Sequence, residues 1–435
     1  MTDVGLVALV LVGGMVVLML IGAPISISIG LPSAVSMILV LGLENGASTS
    51  AQRMFQGVNS FALLAIPFFV LAGGIMNNGG IATRLINLAK VLVGRTPAPL
   101  AQTNVLANML FGSVSGSAIA AAAAVGTTMA PMQAREGYDR AFTAATNVAS
   151  APSGMLIPPS NLMIVYALAS GGTSVGALFL AGYVPGILWG AACMAAVWFY
   201  ARGHRELRAP VRASLAEIGR VFVQALPSLT LVVVVIGGII GGLFTPTEGS
   251  AIAVVYSLLL SFLYRAIGLR DLPRILYSAA RTSSVVIFLI GVSSIMSFVM
   301  SFTRMPQLIA DALFGFTDSK VVVLLIMMLI LLVIGIPLDA TPAILIFTPI
   351  FLPIAVSYGI HPVHFGIMMT FNLCIAVISP PSAPVLFVGA QVSEVRVEAV
   401  IVRLMPFFLT LVAVLFLVTF VPQLSLWLPG LFGLL

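Results

Sequence analysis

Long apolar stretches alternate with short polar segments along the chain, and this pattern predicts membrane-spanning helices. A stretch of about 20 apolar residues can cross a bilayer as a helix. In the first half of the chain such stretches occur near residues 4–22, 24–42, 58–82, 141–169 and 176–200. The first stretch lacks the basic n-region and cleavage site of a secretory signal, so we expect it to be retained as a helix.

Prolines, glycines and one serine recur along the chain at a fixed offset, which predicts an internal repeat. Six pairs lie 222 positions apart: Pro24 and Pro246, Pro131 and Pro353, Gly137 and Gly359, Pro158 and Pro380, Pro159 and Pro381, Ser160 and Ser382. Shared hydropathy alone would not align a Pro-Pro-Ser triplet together with the other pairs. We therefore expect two copies of one unit, at 1–200 and 223–435, joined by a basic connector at 201–222.

The distribution of Lys and Arg predicts that the two copies cross the membrane in opposite directions, because basic residues near membrane segments stay cytoplasmic. In the first copy, the segment around Glu44 and Arg53 has no net charge, whereas the next one is purely basic, with Arg84, Lys90 and Arg95. In the second copy the order is reversed. There the earlier loop holds Arg265, Arg270, Arg274 and Arg281 against Asp271, and the later one holds Arg304 and Lys320 against Asp311 and Asp318.

The connector is predicted to be cytoplasmic for the same reason. Its charged residues are Arg202, Arg205, Arg208, Arg212 and Arg220 against Glu206 and Glu217. With this orientation both chain termini are predicted to be periplasmic.

Inverted copies require an odd number of crossings in each, so one apolar stretch per copy must enter and leave on the same side. In the first copy this is 101–131, whose centre "FGSVSGSAIAAAA" is rich in small residues that allow a sharp turn between two half-length helices. Its counterpart is 322–353, around "IGIPLDATPAILIFTP". We expect a re-entrant helical hairpin at each place.

The pair Pro158–Pro159 in "LIPPSN" should unwind a membrane helix, because proline lacks an N–H and disfavours helix in its predecessor. The sequence thus predicts an all-α polytopic membrane protein of two inverted repeats. Each repeat has scaffold helices (1–95 and 223–320), a hairpin, a broken helix (141–169 and 361–390) and a last helix (176–200 and 400–428).

Unwound backbone at membrane depth is tolerated only when it packs against protein or lines a wet cavity. Half-helix N-termini offer amides to an anion, and free carbonyls and hydroxyls offer oxygen to a small cation. Two such breaks and two hairpins in corresponding places favour a secondary transporter. The alternative interpretation, a proline kink that only shapes packing, would be preferred for a single proline.

Composition and motifs narrow the function further. Of 435 residues, 60% are hydrophobic and 7% charged, which is typical of an integral membrane protein. The net charge is +6, but the basic residues lie between apolar segments, as in membrane proteins, and do not indicate nucleic-acid binding. The sequence has no G-x-x-x-x-G-K-[ST] loop for an ATP-driven pump and no Cys/His cluster with metal-ligand spacing. An intramembrane hydrolase that uses Ser115 is disfavoured, because "SVSG" lacks the G-x-S-x-G elbow.

Five motifs resemble the large membrane subunit of tripartite ATP-independent periplasmic (TRAP) transporters over essentially the whole chain. They are "GSVSGSAIA" at 112–120, "GMLIPPS" at 154–160, "LFLAGYVPG" at 178–186, "TPTEGSA" at 245–251 and "LDATPAILIFTPIFLP" at 338–353. The resemblance implies an elevator-type ion transporter fold in the bacterial inner membrane, without enzymatic activity. It also implies sodium-coupled uptake of an organic anion, delivered by a periplasmic binding protein, and a small four-helix membrane subunit bound to the scaffold within the lipid.

The same resemblance implies two sodium sites and a substrate site. The first sodium site would involve Ser113, Ser115, Gly116, Ser117 and Pro158, and the second Gly335, Asp339, Thr341, Ser379 and Pro380. Substrate would lie near Asn147, Ser160, Asn161, Asn372 and Ser382. At the second break the family usually has Thr-Pro-Pro-Val-Gly, whereas this chain has "SPPSAP" at 379–384. No organic cofactor is expected.

Two acidic residues have alternative interpretations. Asp339 is an intramembrane acid, which favours a functional role, but it could equally cap the returning helix of the hairpin. Glu248 in "TPTE" fits a capping box with Thr245, so we expect it to stabilise a helix start.

One further class of transporter stays open. A stand-alone inverted-repeat anion symporter of the divalent-anion or gluconate kind, coupled to sodium or protons, would need no binding protein. No Lys or Arg is predicted deep in the membrane segments, so a carboxylate would be held by helix ends and sodium, or by the separate binding protein.

Overall fold

A computed structural model describes residues 4–204, 214–314, 317, 319–336, 338–380 and 383–435. This part of the chain consists of helices and their connections and contains no strand. The first repeat has helices at Val4–Leu20, Ile25–Leu41, Leu43–Val58, Phe61–Asn78, Ile81–Val93, Pro99–Ser115, Ala118–Arg135, Arg140–Ser150, Ser153–Leu156, Asn161–Ala169 and Val175–Gly203. The second has helices at Leu215–Ile240, Pro246–Leu263, Leu272–Phe302, Met305–Phe314, Lys320–Gly335, Ala340–Ser357, Pro362–Ala376, Pro384–Val392, Val397–Phe420 and Gln423–Leu431.

The helix bounds repeat with the same offset as the prolines. Residues 118–135 moved by 222 positions become 340–357, which are the bounds of Ala340–Ser357. Val175, moved by the same offset, becomes residue 397, the first residue of Val397–Phe420. The repeat is therefore present in the helices as well as in the sequence.

Seven helices of the described chain are long and apolar enough to cross a membrane. Large apolar side chains lie on the outside of the helical assembly, where Leu20, Leu243 and Leu263 are 75 to 81% exposed. Such surfaces are stable in hydrocarbon and not in water. The chain is an all-α polytopic membrane protein, as the apolar pattern predicts.

Three segments interpreted from sequence as charged loops are in fact helices: Leu43–Val58, Ile81–Val93 and Met305–Phe314. They were missed because each is short and has charged residues among its apolar ones, so none contains an apolar run of spanning length. Arg274 and Arg281 likewise lie inside the helix Leu272–Phe302, and not in a loop. The connector residues Arg205, Glu206, Arg208 and Arg212, together with Asp318, lie outside the described residues.

The capping box predicted at Thr245 and Glu248 is confirmed. The Thr245 amide donates to Glu248 Oε2 at 2.7 Å, and the Glu248 amide donates to Thr245 Oγ1 at 3.3 Å. These bonds satisfy two N–H groups that the first turn of the helix leaves without an intrahelical acceptor.

The two repeats are interlocked. The half-helix Pro384–Val392 of the second repeat packs on Ala118–Arg135, whereas Asn161–Ala169 of the first packs on Ala340–Ser357. Two ion pairs add to this exchange: Arg140 Nη1 lies 3.3 Å from Glu394 Oε2, and Arg403 Nε lies 2.9 Å from Asp139 Oδ2. Each hairpin is thus covered by a half-helix of the other repeat.

Candidate functional site

A two-residue turn joins helices Pro99–Ser115 and Ala118–Arg135, which we call the first hairpin. Gly116 ends the first arm with φ of 63°, a left-handed conformation that favours glycine. Ser117 starts the second arm, since its hydroxyl accepts a hydrogen bond from the Ala120 amide at 3.3 Å. The Ser115 hydroxyl donates to the Ser117 carbonyl at 3.5 Å, and the Ser113 hydroxyl donates to the Leu110 carbonyl at 2.9 Å.

The first break lies at residues 157–160, between helices Ser153–Leu156 and Asn161–Ala169. The Pro-Pro pair removes two N–H donors at this point and prevents a continuous helix. Ser160 is fully buried; its hydroxyl donates to the Met155 carbonyl and accepts from the Met163 amide at 3.4 Å. This serine therefore holds the two helix ends around the break.

The break and the first hairpin are in direct backbone contact. A Cβ placed on Gly154 would lie 2.1 Å from the Gly112 Cα, so only glycine fits at this crossing. At the tip of the hairpin, a Cβ on Gly116 would lie 3.3 Å from the Pro159 carbonyl oxygen and from Asn161 Nδ2. Asn161 Oδ1 is buried and has no hydrogen-bond partner among the described residues. The Pro159 carbonyl oxygen and the Asn161 side chain thus lie beside the tip.

The second hairpin, Lys320–Gly335 and Ala340–Ser357, has a related tip. Asp339 caps the returning helix, because its Oδ1 accepts from the Ala340 amide at 2.9 Å, and its side chain is also exposed to a cavity. Gly335 packs on the second broken helix, where a Cβ would lie 2.4 Å from the Ala376 Cβ. The two roles weighed for Asp339 from sequence are compatible in this geometry.

The second broken helix comprises Pro362–Ala376 and Pro384–Val392. The Ser379 hydroxyl donates to the Ile375 carbonyl at 2.8 Å, and Pro380 follows in a turn. Pro381 and the predicted substrate residue Ser382 lie outside the described residues.

Both tips and both broken helices line one cavity of about 930 Å³. The hairpins contribute Ser115, Gly116, Ser117, Asp339 and Thr341, and the broken helices contribute Asn161, Val377, Pro384 and Val385. The facing wall comes from Ile25–Leu41, Phe61–Asn78 and Leu272–Phe302, with the polar residues Ser26, Asn77, Asn78, Ser278, Arg281 and Thr282. We call Leu272–Phe302 the wall helix.

Two predicted substrate residues are buried between helices and do not line the cavity described above. Asn147 is buried, donates to the Ala122 carbonyl at 2.8 Å and accepts from Asn108 Nδ2 at 2.9 Å. Asn372 is buried and donates to the Met328 carbonyl at 2.8 Å. Both side chains link neighbouring helices by hydrogen bonds.

Arg281 was not foreseen as part of the site. It is exposed on the cavity wall, and with Asp339 it forms the charged part of the described lining. Sequence analysis placed it in a basic loop because the apolar run of the wall helix begins only after it. The sequence predicts no Lys or Arg deep in the membrane segments, but Arg281 lies inside the wall helix and lines this cavity, so the cavity can offer a cation to a carboxylate.

Asn104 and Asn108 were also missed, although they lie four residues apart on the first arm of the hairpin. Asn108 Nδ2 donates to Asn104 Oδ1 at 3.0 Å and to Ser150 Oγ at 2.8 Å. This spacing puts both amides on one helix face and is the signal that could have indicated a buried polar contact.

Comparison with known proteins places the chain among transporters. Residues 12–424 match the family model described as "Tripartite ATP-independent periplasmic transporter, DctM component". The uncharacterized protein YgiK of Salmonella typhimurium is 53% identical over 98% of both chains. The C4-dicarboxylate TRAP transporter large permease protein DctM of Rhodobacter capsulatus is 38% identical over 98% of this chain and all of its own.

Among solved structures, the YdaH transporter of Alcanivorax borkumensis has a similar fold. The TM-score is 0.59 at 16% identity, over 87% of this chain and 88% of that one. At this identity the likeness concerns the fold alone.

Proposed function

The chain belongs to the DctM family of TRAP transporters, and we propose that it catalyses no reaction but carries a small organic anion inward together with sodium. Membership makes it a multi-pass bacterial membrane protein, a subunit of a secondary transporter for organic acids, and not an enzyme. Sodium coupling, an elevator movement and delivery by a periplasmic binding protein are the proposed parts.

The single observation that carries the proposal is the cavity of about 930 Å³. It brings both hairpin tips and both breaks to one place, opposite a polar wall that holds Arg281. A volume of this size accommodates a small organic acid. Helix N-termini at Ala118 and Ala340 offer amides and a positive dipole end to its carboxylate.

The residues at the tips fit sodium, which binds hard oxygen ligands. Asn161 Oδ1 is a buried oxygen that has no donor among the described residues, and the side chain that carries it lies beside the first tip. The Asp339 carboxylate and Thr341 provide oxygens at the second tip. Bound sodium would supply positive charge next to the carboxylate of the substrate.

The packing supports an elevator movement of the hairpins and broken helices as one body. Gly112 and Gly154 fix the first hairpin to its break by backbone contact, and Gly335 packs tightly on Ala376. Across the cavity, Arg281 and Asn77 belong to the facing helices. The cavity therefore lies along the boundary at which one body would slide on the other.

The proposed partners are a periplasmic substrate-binding protein and a small four-helix membrane subunit. The Rhodobacter capsulatus relative is named as the large permease of a C4-dicarboxylate TRAP transporter, and a Vibrio cholerae relative as that of a sialic acid TRAP transporter. We propose the same tripartite arrangement here. Uptake that requires an added binding protein would separate it from the stand-alone symporter.

The test is thermal stability of the purified protein in detergent with sodium, lithium, potassium or choline at equal ionic strength. A cation that binds only the folded state raises the melting temperature in a concentration-dependent way. We expect a sodium-specific rise that Ser115→Ala or Thr341→Ala abolishes. The matched controls Thr127→Ala and Ser357→Ala remove hydroxyls from the outer parts of the same two hairpins and should leave the rise intact.

Equal melting temperatures in sodium and choline would contradict sodium binding by this subunit. A sodium effect that survives Ser115→Ala and Thr341→Ala would place the cation away from the hairpin tips.

A further inference from the structure

A second cavity, of about 480 Å³, lies on the same wall helix as the first. Residues 275–289 of this helix contribute to the first cavity, and residues 290–301 contribute to the second. The other side of the second cavity is formed by Leu168 and Ala169, at the end of the first broken helix, and by Leu345 and Pro349 of the second hairpin. It therefore lies on the same boundary between the hairpins and the wall.

The lining of the second cavity is rich in hydrogen-bond donors and contains one cation. Its polar side chains are Arg53, Gln56, Ser60, Ser293, Ser294, Ser297 and Ser301. Neither ion pair of the described chain includes Arg53, and the described lining has no Asp or Glu. The cavity is thus electropositive, with a positive charge that no lining carboxylate neutralises.

Arg53 is held in place by an aromatic ring. Its guanidinium carbon lies 3.8 Å from the centroid of the Phe298 ring, which belongs to the wall helix. Stacking on a ring uses the face of the guanidinium and leaves its in-plane N–H donors available for bidentate contact with a carboxylate.

Ser293 provides an independent indication of a ligand. It is 5% exposed and lines the cavity, and its hydroxyl has no hydrogen-bond partner among the described residues. Its neighbour Ser294, in contrast, donates to the Ile290 carbonyl at 2.9 Å. Buried hydroxyls in folded proteins are normally bonded to protein or to a bound molecule.

We propose that the second cavity is a separate binding site for small carboxylates, in which Arg53 and Ser293 bind the carboxylate group. This inference rests on the proposed function, since the carboxylate would be that of the transported anion at the other end of its route. The Lys and Arg distribution predicts that residue 53 is on the periplasmic side, so the site would be the one that the anion meets first.

The experiment measures how fast a cysteine in this cavity reacts with small charged reagents. Cys193 and Cys374 are both buried and should react slowly, so the reaction of a cysteine introduced by Ser297→Cys can be distinguished from theirs. The reaction rate is compared for two methanethiosulfonate reagents, one with an anionic sulfonate group and one with a cationic trimethylammonium group. Succinate, gluconate and N-acetylneuraminate are added as competing carboxylates. We expect the anionic reagent to react faster, and at least one carboxylate to protect the cysteine in a saturable way.

Variants assign this behaviour to the named residues. Arg53→Gln should lower the anionic-to-cationic rate ratio by about fivefold or more and abolish protection, because it removes the local charge. Arg53→Lys should keep most of the anionic-to-cationic rate ratio. Ser293→Ala should weaken protection by carboxylates without changing that ratio. The control Arg270→Gln removes the same unit of charge at an exposed loop position and should change neither.

A rate ratio unaffected by Arg53→Gln, or no saturable protection by any of the three carboxylates, would overturn the second site. These results are separable from failure of the proposed function, because the sodium-dependent melting rise is measured on the same variants. A sodium rise without carboxylate protection rejects only the second site, and the reverse result rejects sodium coupling.

Discussion

At the scale of single residues, the contact between Gly112 and Gly154 sets the most severe restriction. Each added Cβ would approach the other backbone to less than 3 Å, and a backbone cannot turn aside as a side chain can. The crossing brings the first arm of the hairpin against the helix that precedes the break. Its geometry therefore determines where the tip meets the break.

We predict that Gly112→Ala or Gly154→Ala destabilises the protein by about 1–3 kcal/mol or more, as overpacking does. The measurement is the free energy of unfolding, or the melting temperature, in detergent. Gly237→Ala is the matched control, since it lies in an exposed helix with no atom within 4 Å of its Cβ and should be neutral or stabilising. Equal stability of all three variants would show that the crossing can relax.

The capping box gives a second prediction at this scale. Thr245→Ala removes a hydroxyl that accepts from the Glu248 amide, so it should cost about 1 kcal/mol of stability. Thr230→Ala, at an exposed hydroxyl bonded within its own helix, should cost less. The sodium-dependent melting rise should be unchanged in both, since neither residue lies at the hairpin tips. Loss of that rise in Thr245→Ala alone would link this helix start to the ion sites.

At the scale of elements, two asparagines of the first broken helix have different structural roles. Asn147 is buried and bonds to the neighbouring helices, whereas Asn161 lines the large cavity beside the hairpin tip. Both were predicted as substrate residues from the same resemblance. The structure separates a side chain that links buried helices from a half-buried one that lines the cavity.

We expect Asn147→Leu to lower stability by about 1–3 kcal/mol, because it leaves buried polar partners unsatisfied. Asn161→Ala should instead reduce the response to sodium while it changes stability little. Melting curves with and without sodium measure both effects at once. Similar losses in the two variants would contradict this division of roles.

The elements differ in how far the sequence could predict them. The hairpins and breaks were predictable because glycine and proline act locally and recur at one offset. The helices Leu43–Val58 and Ile81–Val93 were not, since their charged residues made them look like loops. Arg281 was misplaced for the same reason: hydropathy locates the apolar run of a helix and not its first turns.

At the scale of the whole molecule, the two cavities lie on consecutive parts of one helix. The boundary falls between Leu289, which lines the first cavity, and Ile290, which lines the second. No sequence pattern showed this, because a cavity depends on which helices face one another across the molecule. The predicted orientation assigns the first cavity to the cytoplasmic side and the second to the periplasmic side.

This assignment predicts different accessibility from the two sides of the membrane. A cysteine at Ser278 should react with a membrane-impermeant reagent from the cytoplasmic side only, and one at Ser297 from the periplasmic side only. Right-side-out and inverted vesicles provide the comparison, and a cysteine at exposed Arg270 is the cytoplasmic control. A reversed pattern would show that the positive-inside rule misassigns this chain.

The interlocking of the repeats has a consequence for biosynthesis. Domains commonly fold as units while the ribosome is still extending the chain, with the N-terminal one first. Here the hairpin arm Ala118–Arg135 receives its neighbour Pro384–Val392 only when nearly the whole message has been translated. Until then the nascent first repeat lacks this packing partner in the bilayer. A chain truncated before residue 384 never forms the contact.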